Sequence, residues 1–174
     1  MNSADTKARM IAVLGSGIFL FIAPGTFAGY IPWRLCRWHV HPAFFGFTAL
    51  RAIGSLLIAV GGLILLDAFL RLALQGIGTP APILPPKRLV ITGSYRHVRN
   101  PMYCSVVALI LGQGLLFGDR GVLIYGLCAW FFFHLFVVFY EEPALRRKFP
   151  GDYEALSANV PRWIPRLTPW EESA

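Results

Sequence analysis

The stretch Gly93-Ser-Tyr-Arg-His-Val-Arg-Asn-Pro-Met-Tyr103 leads into two apolar runs, residues 102–117 and 121–140, and the second run ends on an adjacent pair, Glu141-Glu142. Only Gly118-Asp-Arg120 separates the runs, so they form a hairpin whose two open ends return to one side of a membrane. A basic cluster and an acidic pair are thereby predicted to meet at one surface. At about 1.5 Å per residue the first run reaches only about 24 Å, short of a hydrocarbon core of about 30 Å, so its Tyr103 end is expected to start at a thinned or cavity-like place.

Composition agrees with that frame. The chain has 174 residues, of which 56% are hydrophobic and 14% charged, with a mean hydropathy of +0.57. A soluble domain of this size needs more polar surface to cover its core, so the chain is an integral membrane protein. It reads as one domain, residues 1–174, with two N-terminal spans in 1–75 and the loop, hairpin and cap in 76–174. The net charge of +7 gathers at the ends of apolar runs, where anionic lipid headgroups lie, and forms no aromatic-interleaved stripe, which argues against nucleic acid. Cys36, Cys104 and Cys128 have no metal-ligand spacing and imply no disulfide framework, so no metal site is expected.

Two further spans precede the hairpin. The first covers about 10–31, with Pro24-Gly25 as a kink or early stop, and its length reads as a retained span, not a removed signal. Residues 32–42 form an aromatic connector suited to the interface, and the second span covers about 52–70 within a helix of 43–75. Proline-rich 76–101 is a loop. Four spans put both termini and that loop on one side, with twelve basic residues against Arg34, Arg37, Arg51 and Arg120 on the other. The positive-inside rule then makes both termini cytoplasmic, in a bacterial inner membrane or its equivalent.

Several groups could carry chemistry. Arg96 and Arg99 can grip a carboxylate or phosphate, or simply anchor the span end. Pro101 suits the first helical position and makes Asn100 an N-cap, which would aim backbone N–H groups at an anion. Glu141-Glu142 departs from the usual positive cytoplasmic end; the pair either starts a helix at Pro143 or forms a ligand wall, and both can hold. Gly112-Gln113-Gly114 serves helix packing by default, a flat ligand group by the sharper reading. Asp67 and Arg71 form an i,i+4 pair, His134 is a buried hydrogen-bonded histidine, and Arg51 reaches the far interface. Leu145, Phe149, Tyr153 and Leu156 form an apolar face opposite Arg146-Arg-Lys148, the pattern of a segment lying on anionic lipid. Val160-Pro-Arg-Trp-Ile-Pro165 is stiff enough to fold back as a cap.

Five ordered blocks resemble the isoprenylcysteine carboxyl methyltransferase and phospholipid methyltransferase superfamily: Gly93-Ser-Tyr95, Arg99-Asn-Pro-Met-Tyr103, Glu141-Glu-Pro-Ala-Leu145, Phe149-Pro-Gly-Asp-Tyr153 and Val160-Pro-Arg-Trp-Ile-Pro165. Asn100 stands where many members have His, and Ser105 where many have Gly; the first two spans match only in being apolar. The resemblance implies an all-α integral membrane fold of about four transmembrane helices, with an interfacial C-terminal helix capping a cytoplasmic-side cofactor pocket. It implies S-adenosylmethionine as cofactor, held by His97, Asn100, Tyr103, Gly112, Gly114, Glu141, Glu142 and Tyr153. Arg99 and Glu142 would be the catalytic residues, Arg99 orienting an anionic group and Glu142 or His97 accepting a proton from an amine. The acceptor would be a lipophilic carboxylate, amine or thiol that enters sideways between helices. A membrane reductase of the sterol-reductase type, using NADPH, and a non-enzymatic scaffold are the competing readings; oligomeric state is not specified.

Overall fold

The computed structural model describes residues 3–75 and 89–171. Lys87 and Arg88, part of the charge count above, lie outside the described residues, as do the side chains of Lys7 and Arg9. Among the described residues all regular structure is helical. Helix α1 (Ser3–Pro24) runs through a π-helical turn (Gly25–Tyr30) into α2 (Ile31–Cys36); α3 spans Ala49–Gln75, α4 Pro101–Phe117 and α5 Arg120–Phe136. A second π-helical turn, Val137–Glu141, joins α5 to α6 (Glu142–Lys148), and α7 covers Pro150–Asn159. Three helical stretches are long and apolar enough to cross a membrane, Val13–Cys36, Ala49–Gln75 and Arg120–Lys148; Pro101–Phe117 is the shorter apolar helix the sequence predicts.

Pro24 does not stop the first helix. The helix continues to Cys36 and takes in the start of the predicted connector, because the real obstacle is Pro32. Proline has no N–H and its ring collides with the carbonyl four residues back, here that of Ala28. The backbone absorbs this by widening to π spacing, in which Ile31 N–H donates to the Thr26 carbonyl. The same device precedes Pro143, where Glu142 N–H donates to the Val137 carbonyl. In a bilayer the freed carbonyls need other donors. Gln113 on α4 supplies one, its Nε2 standing 2.7 Å from the Ala28 carbonyl. Tyr125 on α5 supplies the next, its hydroxyl 3.0 Å from the Phe27 carbonyl. Gln113 thus gains a structural reason that its spacing alone does not reveal.

Helices α3 and α4 make the main contact of the bundle, and they meet backbone to backbone. A Cβ on Gly54 would stand 2.6 Å from the Gly112 carbonyl oxygen, and one on Gly112 would stand 2.7 Å from that of Gly54. Small residues permit this approach where lipid offers no hydrophobic drive to associate. The α4–α5 turn is as compact as its residues predict: Gly118 takes φ +70°, and Asp119 caps α5 by accepting from Val122 N–H at 2.9 Å.

Replacing Gln113 by Leu exchanges the amide for an aliphatic side chain and leaves the Ala28 carbonyl without its donor. We expect a loss of about 1 kcal/mol, read as a lowered midpoint in thermal unfolding of the purified chain. An unchanged midpoint would show that the carbonyl finds another partner.

Candidate active site

Three segments converge beside the N-terminus of α4. The turn 93–100 is built by the end of α3. Asp67 pairs with Arg71 at 2.7 Å and also accepts the Ser94 N–H at 3.3 Å. The Arg71 guanidinium lies directly on Gly93, where φ is +54° and a Cβ would stand 1.9 Å from its Nε. The i,i+4 pair read from sequence as neutralisation therefore also fixes the turn that carries Tyr95 and Arg96. Burial, together with the neighbouring charges of Glu141 and Asp67, holds the Tyr95 phenol well above its ordinary range.

The two carboxylates of the acidic pair have different partners, since successive residues on a helix diverge by about 100°. Glu141 accepts the Tyr103 hydroxyl at 2.8 Å, and the Tyr103 ring packs 5.0 Å from that of Phe133. Among the described residues Glu141 has no basic partner. Glu142 is 6% exposed and receives a two-pronged grip from Arg162, Nε to Oε1 at 2.6 Å and Nη2 to Oε2 at 3.0 Å. Arg99 Nη1 adds a third contact at 3.3 Å and also reaches the Tyr153 hydroxyl at 3.5 Å. The Glu142 carboxylate raises the pKa of Arg162; burial, then the Glu142 charge, raises that of the Tyr153 phenol. The predicted meeting of cationic and anionic ends is present in the fold, with Arg99 and Glu142 in direct contact.

The basic stretch has a further task. The segment 160–171 folds back across it as a strap. Arg99 N–H donates to the Pro161 carbonyl, Arg166 N–H to that of His97 and Trp170 N–H to that of Arg96, at 2.9, 3.0 and 3.0 Å. His97 Nδ1 lies 2.8 Å from the Arg166 carbonyl oxygen. Asn100 occupies the N-cap position of α4, but its side chain makes no cap bond; its Nδ2 donates instead to the Arg162 carbonyl at 3.1 Å. Arg96 pairs with Glu171 at 2.8 Å.

Gly112 faces Gly54, and Gly114 faces Leu123, whose Cδ2 would stand 2.5 Å from an added Cβ. Both glycines therefore sit at helix contacts, away from the acidic pair. The apolar side chains of α7 also pack inward: Tyr153, Leu156 and Val160 form a buried cluster with Leu145, Phe149 and Trp170 around it. This corrects the reading of that face as lipid-facing. Arg146, Arg147 and Lys148 remain exposed. Two buried polar atoms at this end have no partner, Ser94 Oγ and Arg99 Nε.

A sequence model of phospholipid methyltransferases matches residues 50–152, more than half of the chain. The chain belongs to the phospholipid methyltransferase family. This is a family of membrane methyltransferases within the superfamily that includes the isoprenylcysteine carboxyl methyltransferases. The matched region holds α3, the turn, the hairpin and the acidic pair; it takes in the second span, beyond the resemblance read from motifs, and ends before Tyr153 and the strap. No curated protein and no solved structure matches the chain significantly.

Sequence reasoning did not single out Arg162, nor the task of Asp67 and Arg71. The signal for Arg162 was an arginine in a stiff proline-bounded segment downstream of an unpaired acidic doublet. Removing Glu142 leaves Arg99 buried without its counter-charge, whereas removing Arg162 leaves Glu142 still facing Arg99. Glu142→Gln is thus expected to destabilise more than Arg162→Ala. A double-mutant cycle on unfolding free energies should return a coupling of about 1–3 kcal/mol. Additive effects would remove the pair from the account of the fold.

Proposed function

We propose that this chain is an S-adenosylmethionine-dependent methyltransferase acting on a lipophilic acceptor held in the membrane. The observation that carries the reading is Glu141: a half-buried carboxylate bonded to Tyr103, flanked by Tyr95, with no basic partner among the described residues. Close by, Arg99 keeps a buried Nε without a partner. A zwitterionic ligand with a cationic centre and a carboxylate needs this combination of unmatched charge and unmatched donor. The donor set fits S-adenosylmethionine, with Glu141, Tyr103 and Tyr95 toward its cationic or ribose groups and Arg99 toward its carboxylate.

When bound, that cofactor supplies a methyl group already activated by a sulfonium. The residues of the chain then have to bind, align and exclude water, and alignment of reacting groups is worth up to about 7–11 kcal/mol. A carboxylate acceptor needs no base. For an amine acceptor Glu141 is the better-placed carboxylate to hold the proton, since both oxygens of Glu142 already face guanidinium groups. We place the site at the cytoplasmic face of an inner membrane, with Arg146, Arg147 and Lys148 on anionic headgroups, following the excess of basic residues at this end.

Calorimetry with S-adenosylhomocysteine tests the reading. The parent chain should bind it, and Glu141→Gln should weaken binding about tenfold or more by removing a buried charged partner. In parallel, thermal shift should show stabilisation by S-adenosylhomocysteine and none by NADPH. Stabilisation by NADPH alone would replace this reading with the reductase.

A further inference from the structure

The strap presents two aliphatic side chains to its surroundings. Ile164 is 80% exposed and Leu167 is 98% exposed, although neither lies in a membrane span. Between the clasped carbonyls and amides the backbone of 161–170 has no regular structure of its own. Its position relative to the bilayer follows from Trp163. That indole donates to His134 Nδ1 at 3.0 Å and packs 6.2 Å from the Trp130 ring. Trp130 and His134 lie near the middle of the stretch long enough to span, Arg120–Lys148. Trp163 also lines an apolar groove of about 240 Å³ together with Leu57, Val107 and Leu111. At Trp163 the strap therefore lies beside the inner turns of a spanning helix, not out in water.

We propose that the strap docks on the bilayer, with Ile164 and Leu167 turned into the acyl chains. Beside a spanning helix an exposed isoleucine and leucine have an apolar phase available. Because Arg162 precedes Trp163 and grips Glu142, the lipid contact is transmitted to the site: the membrane holds the strap, and the strap holds the counter-charge of the acidic pair. The segment lies beyond the matched family region. The docking does not depend on which ligand the site takes.

The test uses the full chain in phosphatidylcholine nanodiscs carrying one copy each, with amide hydrogen exchange of strap peptides as the readout. Docking predicts that Ile164→Asp with Leu167→Asp speeds exchange at the Arg166 and Trp170 amides about tenfold or more, the scale set by withdrawing two aliphatic side chains from an apolar phase. The conservative pair Ile164→Leu with Leu167→Ile should keep the parent rates. Equal exchange in the Asp variant and the parent would overturn the proposal. Protection that appears only in discs holding two copies would also overturn it, in favour of a contact between chains. Since no ligand is added, failure of the methyl-donor reading would leave this result standing, and the reverse holds as well.

Discussion

An ionised carboxylate withdrawn from water as far as Glu142 is needs close counter-charges, and Glu142 imposes that condition on everything around it. The desolvation cost is several kcal/mol per ion and is offset only by close, well-oriented partners. Glu142 obtains two, Arg162 by parallel hydrogen bonds and Arg99 at 3.3 Å. One guanidinium comes from the strap and the other from the turn before α4. A single side chain at the junction of α5 and α6 thereby fixes three segments that are far apart in sequence. The strap then binds the rest of the basic stretch through backbone groups.

The division between Glu141 and Glu142 follows from helix geometry. Two neighbours on a helix cannot line one wall, because their side chains point in directions about 100° apart. Glu142 turns to the strap and takes its counter-charges. Glu141 turns to Tyr103 and takes a hydroxyl only. The ion-paired carboxylate and the carboxylate without a basic partner are thus separated within one dipeptide, and the proposed function assigns the ligand to the second.

Two prolines shape the helices that carry these groups. Pro32 and Pro143 each displace a carbonyl, and each is accommodated by a π-helical turn just before it. Around the first turn the bundle supplies donors from Gln113 and Tyr125. At the second turn the widened backbone carries Glu141 at its end. Irregular helix at membrane depth persists because neighbouring side chains complete its hydrogen bonding.

The apolar runs, their lengths and the tight Gly118-Asp119 turn were legible from residue type, because helix rise and bilayer thickness act on any chain alike. So was the pairing of the 93–103 stretch with the acidic doublet, since a hairpin must return both ends to one face. Pro32 could be seen as a helix breaker, but its remedy could not, because the donors come from residues more than eighty positions away. The glycines of α4 were ambiguous until Gly54 was found opposite Gly112. Which cation serves which carboxylate was likewise a matter for tertiary structure alone: the sequence displays many arginines near one surface, and only the path of the strap decides that Arg162, not Arg96 or Arg146, reaches Glu142. Local periodicity and charge sign are carried by single residues; burial and partnership exist only once distant segments share a place.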